Sequence, residues 1–364
     1  MDKPLKIKFG NIVFKIISIF FPVKKRVFFI GSFKDKLIMN TQLVYDNLDC
    51  EKRVFTWNLP HSIWELIKLS YYIMTSKVII VDNTNPCFAF IRLKKQQKLI
   101  QLWHACGPIK KLGLDRPSYN PYELFCNDQY DDFIVSSDNE CKNFGSAYNI
   151  KEEVFTKIGY PSMDLLIHNH EKYEKEFFEK FPDLVNKKII IYMPTFRLTN
   201  DHSGYLRGYD YDICWDNLNE YLSENNCIFL IKRHPVMLEN DIKIITKEYS
   251  NILDIYDISN FQLLAASDLL ITDYSGIFNE YLLLNKPVIF YCPDLEEYLK
   301  YTGLYFNISN DFPGTFCQTY DELKNAISNQ EYDVDYSEYK EKFLKYCDGN
   351  STKNLLKIIN EYLE

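Results

Sequence analysis

The chain has no apolar run long enough to cross a bilayer, which takes about 20 residues of helix. Its best candidate, Phe9 to Val23, is too short and is interrupted by Lys15. No small-residue cleavage site follows that stretch, which ends in Pro22-Val23-Lys24-Lys25-Arg26, so it is expected to be retained rather than removed as a signal peptide. None of the ten cysteines, scattered from Cys50 to Cys347, forms a C-x-x-C pair. That argues against a zinc ribbon and a secreted disulfide framework, and it fits a reducing cytoplasm. A basic excess is missing too: the formal net charge is −8, which disfavours nucleic acid as a partner. The patterns G-x-x-x-x-G-K-[ST], G-x-G-x-x-G and G-x-S-x-G are absent, which removes the P-loop, dinucleotide and serine-hydrolase readings. No internal repeat or low-complexity tract is present.

What is present is alternation. With 364 residues, 46% of them hydrophobic, the chain exceeds one ordinary domain and buries proper cores. From Arg26 onward, short β-branched and aromatic runs alternate with helical patterns, as in a parallel sheet with crossover helices. Predicted strands are Val27 to Ile30, Val54 to Trp57, Val78 to Val81, Leu99 to Trp103, Phe133 to Val135 and Phe155 to Ile158. In the second half they are Ile189 to Tyr192, Ile228 to Ile231, Ile252 to Asp254, Leu269 to Ile271 and Val288 to Tyr291. Between the halves Asn169 to Lys188, rich in Glu and Lys, reads as the linker region. The expected fold class is α/β, with two doubly wound Rossmann-like domains, residues 27–180 and 181–364, binding ligands at the carboxyl ends of their strands.

Residues 1–26 stand apart. They gather a charge of +6 around Ile12, Val13, Phe14, Ile16, Ile17, Ile19, Phe20 and Phe21. An amphipathic segment lying on an anionic membrane surface is expected, with a first helix packed on the protein's own core as the competing reading.

Four polar residues directly follow predicted strands: His104, Thr195, His234 and Ser275. Ser275-Gly276 opens a helical pattern, where exposed N–H groups suit a phosphate and an ordinary N-cap is the commoner use. Pro235 ends a strand at Lys232-Arg233-His234 and projects the imidazole beyond the sheet, where it can donate to a phosphate oxygen; a structural histidine is the alternative. His104 lies in a Gly/Pro-rich turn with Lys110 and Lys111, which suits a general base beside cations that hold anionic substrate, against a plain loop histidine. Cys106 has no evident catalytic partner and reads as a small semi-buried residue. Asp210-Tyr211-Asp212 and Asp333-Val334-Asp335 each form D-x-D, yet neither closes a strong strand, and His168-Asn169-His170 lies in a charged helical stretch.

Taken in order, these pieces resemble the CDP-glycerol glycerophosphotransferase family of teichoic acid synthesis. The resemblance runs from about Val78 to Gly314 through Ser76-Lys77-Val78-Ile79-Ile80-Val81-Asp82-Asn83, Trp103-His104-Ala105 with Lys110 and Gly113, and Gly159-Tyr160-Pro161. It continues through Met193-Pro194-Thr195-Phe196-Arg197, Lys232-Arg233-His234-Pro235, Thr272-Asp273-Tyr274-Ser275-Gly276 and Gly303-Leu304-Tyr305. Departures are Ser162, Gly276 and Thr302, where the family has arginine, serine and arginine. The resemblance implies a GT-B architecture with a central cleft, and an enzyme in which His104 deprotonates an acceptor hydroxyl that attacks the polyol-bearing phosphorus and releases CMP. It further implies that His234, Ser275 and Gly276 hold the diphosphate, with Thr195, Arg197, Arg233 and Asp273 on the donor side and Lys110 and Lys111 on the acceptor or phosphate side. No metal ligands or cofactor are implied, since the CDP-linked polyol is a substrate, and Mg²⁺ dependence is left open. Expected partners are CDP-glycerol or CDP-ribitol, a lipid-linked polymer acceptor and the cytoplasmic face of the cell membrane. The competing classes are a sugar transferase of the same architecture and a silent binding module.

Overall fold

The computed structural model describes residues 3–33, 36–56, 62–89, 91–117, 128–198, 206–207, 211–245 and 247–364. The chain divides into two compact units. The first comprises the chain up to Cys106, Leu112–Asp164 and Lys342–Glu364; the second comprises Gly107–Lys111 and Leu165–Glu341.

The first unit is built on six parallel strands: β1 (Lys24–Gly31), β2 (Lys52–Thr56), β3 (Ser76–Val81), β4 (Lys98–Gln101), β5 (Asp132–Val135) and β6 (Phe155–Lys157). Their order is β2-β1-β3-β4-β5-β6, so the strand order reverses between β1 and β3. The second unit carries β7 (Lys188–Met193), a two-stranded hairpin of β8 (Arg197–Leu198) and β9 (Leu206–Arg207), then β10 (Cys227–Ile231), β11 (Ile252–Asp254), β12 (Leu269–Thr272), β13 (Val288–Tyr291) and β14 (Thr315–Cys317). Its main sheet runs β11-β10-β7-β12-β13-β14, the doubly wound order, and reverses between β7 and β12. Runs such as Val78-Ile79-Ile80-Val81 and Leu269-Leu270-Ile271 are wholly buried, as expected for parallel strands covered on both faces.

All eleven predicted strands form within the described residues, and Trp57, the predicted end of the second, lies outside them. Three differences carry meaning. Strand β4 stops at Gln101 because Trp103 turns into the left-handed region at φ 52°. The expected linker is mostly helix, Pro161–Lys180, with a non-helical kink at Asn169. And residues 342–364, assigned from sequence to the second domain, belong to the first unit: the helix Ser351–Leu363 buries Leu355 and Ile359, and Asp164 accepts from the N–H groups of Ser351 (3.2 Å) and Thr352 (2.7 Å) at its start.

Residues 1–26 likewise divide in two. The helix Lys3–Phe20 ends before β1, and Lys24, Lys25 and Arg26 are strand residues. Arg26 is 2% exposed and donates to Ser76 Oγ (3.0 Å), Thr75 Oγ1 (2.5 Å) and Glu51 Oε1 (3.3 Å). The helix buries Phe14 and Ile17, packs against the helix Ile63–Thr75, and leaves Ile12, Ile16, Ile19 and Phe20 exposed. No helix among the described residues is long and apolar enough to cross a membrane.

Candidate functional site

In the first unit the residues of interest gather where the strand order reverses. Asp82 directly follows β3, is 1% exposed, and accepts from Ser32 N–H (2.8 Å) just beyond β1. Its main-chain carbonyl lies 3.0 Å from His104 Nδ1. A carbonyl only accepts, so Nδ1 carries the proton and Nε2 keeps its lone pair. Burial holds the His104 pKa below its ordinary value, so the ring is neutral near pH 7. A half-buried neutral imidazole with a fixed, unprotonated Nε2 can take a proton from a hydroxyl.

The backbone before it is strained. A left-handed Trp103 costs about 1 kcal/mol or more. Gln101 Oε1 accepts its N–H (2.9 Å) and Asn40 Nδ2 donates to its carbonyl (3.3 Å). Asn40 is itself fixed, because its Oδ1 accepts from Ser162 N–H (2.8 Å). The indole packs edge-on against Phe144 (5.0 Å) and stacks on the His104 ring (4.8 Å). Burial raises the Asp82 carboxyl to about 6, and its Oδ2 has no hydrogen-bond partner among the described residues.

In the second unit, the loops leaving β7 and β12 are tied together. Asp273 Oδ1 accepts from the N–H groups of Thr195 (2.8 Å) and Tyr274 (2.6 Å). Arg197 is 4% exposed; its Nε and Nη2 meet Asp294 (2.6 and 3.0 Å), and its Nη1 meets Asp273 Oδ2 and the Thr195 carbonyl (2.9 and 2.6 Å). Burial opposes that charge and the two carboxylates more than restore it. Arg197 also lies over the stacked pair Tyr274 and Tyr298, whose centroids are 3.6 Å apart. This network joins the ends of β7, β12 and β13. Thr195 Oγ1 is buried beside it without a partner among the described residues.

Ser275 accepts from Ile277 N–H at 3.4 Å, an ordinary local cap, ahead of the short helix Ile277–Leu282. Gly276 has φ −69°, so a serine there would meet no backbone strain. Within that helix Glu280 is buried with Oε2 unpartnered among the described residues, and burial raises it to about 8. At the end of β10, Arg233 is committed to Asp254 Oδ2 (2.8 Å) and the Ile242 carbonyl (2.9 Å).

His234 has the opposite tautomer to His104. Its Nδ1 accepts from Val236 N–H (3.2 Å), so the neutral ring carries its proton on Nε2 and is a donor. The ring packs against Phe196 at 4.8 Å. Desolvation, then the nearby Lys110 charge, bring its pKa down to about 4.

Lys110 therefore lies with the second unit. Residues 109–111 run antiparallel to 303–305: Tyr305 N–H donates to the Ile109 carbonyl (2.9 Å) and Lys111 N–H to the Gly303 carbonyl (3.1 Å). Gly303, at φ 70°, lets the Lys111 stem cross it; a Cβ there would sit 3.0 Å from Lys111 Cδ.

The structure thus brings Thr195, Arg197, Asp273, Ser275, Gly276, Arg233, His234 and Lys110 into one unit, with Lys111 on the same short ladder, and His104 into the other. Of the D-x-D patterns, Asp210 lies outside the described residues; His168 and His170 are exposed. Sequence reasoning met Asp82 and Asp294 only as parts of resembling segments and gave them no role, and it passed over Asn40. Asp82 had a signal, since it follows a predicted strand as His104 does; Asn40 had none.

The family model for CDP-Glycerol:Poly(glycerophosphate) glycerophosphotransferase matches residues 30–361. The chain is 35% identical over 313 residues to the teichoic acid glycerol-phosphate primase of Bacillus subtilis, covering 82% of this chain and 77% of that protein. It is 29% identical over 350 residues to the teichoic acid ribitol-phosphate polymerase TarK of Staphylococcus aureus, covering 92% of this chain and 68% of that one. This chain spans about two thirds or less of the ribitol-phosphate polymerases it matches. Among solved structures, the wall teichoic acid polymerase TagF aligns with a TM-score of 0.75 at 23% identity over 99% of this chain and 95% of that one. That likeness gives the fold: GT-B, built of two Rossmann-like domains.

Proposed function

Because the chain belongs to the CDP-glycerol:poly(glycerophosphate) glycerophosphotransferase family, we propose that it transfers glycerol phosphate from CDP-glycerol to a hydroxyl of a lipid-linked teichoic acid or capsule acceptor. The observation that carries this reading is the pair of complementary histidines, His104 with a free Nε2 and His234 with a donating one. His104 takes the hydroxyl proton, and the acceptor oxygen forms a bond to the polyol-bearing phosphorus. The bond from that phosphorus to the bridging oxygen breaks, and CMP leaves with the electron pair. His234, Thr195, Ser275 and the Gly276 backbone hold the diphosphate; Arg197, Asp273 and Arg233 act by fixing the strand ends that carry them. Catalysis of this kind rests on positioning and electrostatics.

CDP-ribitol is the second reading, because ribitol-phosphate enzymes stand among the relatives at 29% identity beside a glycerol-phosphate primase at 35%. The protein, incubated with CDP-glycerol, CDP-ribitol and nucleotide sugars in the presence of a lipid-linked acceptor, is expected to release CMP from CDP-glycerol. CMP from CDP-ribitol alone would move the assignment to the second reading. Nucleoside diphosphate from a nucleotide sugar would overturn both.

We further propose that the reaction runs on the cytoplasmic membrane face, where a lipid-linked acceptor is confined. Supporting this, Ile12, Ile16, Ile19 and Phe20 lie on the exposed face of the first helix, and its packing partner adds Ile63 and Trp64. Exposed Lys15, Lys24, Lys25 and Lys68 supply charge for anionic lipid.

A further inference from the structure

The family resemblance implies that Lys110 and Lys111 serve the acceptor or phosphate side, and residues 107–111 are built into the second unit. The ladder of 109–111 with 303–305 fixes the direction of the side chains. Ile109 is 4% exposed, the Lys111 stem crosses Gly303, and Lys110 Nζ lies 5.9 Å from the Phe196 centroid and 5.9 Å from that of Tyr298. Phe196 is also the ring against which His234 packs, at 4.8 Å. One aromatic side chain, in the loop after β7, thus carries a lysine from the first half of the sequence and a histidine from the second.

From this arrangement we propose that Lys110 is a donor-side residue, forming with His234 a clamp on the diphosphate of the CDP-linked substrate. The proposal rests on the donor-binding reading above and deepens it. The two groups have complementary chemistry: an ammonium is a point charge with three donors, and His234 Nε2 is a single directed donor. In the absence of donor they oppose one another, since the Lys110 charge disfavours a second charge on the imidazole. A bound diphosphate offsets the Lys110 field and admits that second proton, so donor binding takes up a proton on the acid side of neutrality. Arg233 and Lys232, which precede His234 in the chain, are engaged elsewhere: Arg233 is paired with Asp254, and Lys232 Nζ donates to the carbonyls of Tyr256 (2.8 Å) and Ile258 (2.7 Å).

The test uses the full chain as Lys110→Met, which keeps the stem, and Lys110→Arg, which keeps the charge. NMR titration of the His234 ring without donor should show its pKa rising in Lys110→Met and staying low in Lys110→Arg. Calorimetry with CDP near pH 7 should show affinity falling roughly tenfold or more in Lys110→Met, the scale of a lost charged hydrogen bond, and largely kept in Lys110→Arg. Calorimetry near pH 5 in buffers of differing ionisation enthalpy should show proton uptake in the wild type that is reduced in Lys110→Met. An unmoved His234 pKa, or undiminished CDP affinity in folded Lys110→Met, would overturn the clamp and leave the donor assignment standing. A wild type that binds no CDP would sink the donor assignment itself, and the clamp with it.

Discussion

At the scale of single residues, the side chains divide by whether their polar atoms are already used. Arg197 and Arg233 are spent on carboxylates and carbonyls; among the described residues Thr195 Oγ1 and His104 Nε2 are not. Thr195→Val, an isosteric change, is therefore expected to weaken CDP binding about tenfold while raising stability by about 1 kcal/mol, because it removes a buried unpartnered hydroxyl. Equal CDP affinity with lower thermal stability would return Thr195 to a structural role. His104→Asn should cut CMP release at least ~100-fold with folding intact, the usual scale for a lost general base; near-normal release would remove His104 from the mechanism. Asp82 gives a pH signature. Its carboxyl titrates near 3.8 when unfolded and about 6 when folded, so the folded state holds the proton longer. The contribution of the protonated form is full below about pH 4 and lost as pH rises through 6. Each tenfold change in proton affinity is worth about 1.4 kcal/mol, so Asp82→Asn should gain up to about 3 kcal/mol near pH 7 and little near pH 4. Urea melts giving the same difference at both pH values would refute this.

Among elements, the strands were the most legible part of the sequence, because parallel strands buried on both faces read as unbroken β-branched runs. The residues Thr315 to Cys317 and the hairpin pairing Arg197–Leu198 with Leu206–Arg207 escaped, being too short for any period to register. His104 was found by its strand-end position, but its tautomer depends on a carbonyl 22 residues away, which no spacing rule supplies. The first helix was legible as amphipathic: Phe14 and Ile17 pack inward, as the packed-helix reading expects, while Ile16 and Ile19 face out and give the membrane reading a surface to test. The partner helix is the part that was missed, since Trp64, 77% exposed, gave no signal of its own. The combined change Ile16→Glu with Trp64→Glu is expected to abolish flotation with anionic vesicles while leaving turnover on a short soluble acceptor largely unchanged. Retained vesicle binding would exclude this face as the anchor. Deleting residues 1–26 outright is a poorer experiment than it reads from the sequence, because it also removes buried Arg26 from β1.

For the whole molecule, domain number and fold class could be read from the alternation of strands and helices, while the division of the chain between the domains needed long-range contacts. A fragment of residues 181–364, the second domain as read from sequence, is expected to lose CDP binding, since it lacks Lys110 and the segment paired with 303–305. Calorimetric binding equal to that of the full chain would refute this. The first unit has the converse debt. Gly159, at φ 74°, lies so close to the Tyr346 carbonyl that an added Cβ would come within 2.3 Å of it, and Ser136 Oγ donates to the Phe343 carbonyl at 2.9 Å. The final segment is thus seated in a sheet completed nearly two hundred residues before it. On a ribosome, that sheet lacks the helix Ser351–Leu363 until the second unit has been synthesised. Neither unit is one continuous stretch of chain, so a single break, as in gene fusion or recombination, passes on neither of them alone.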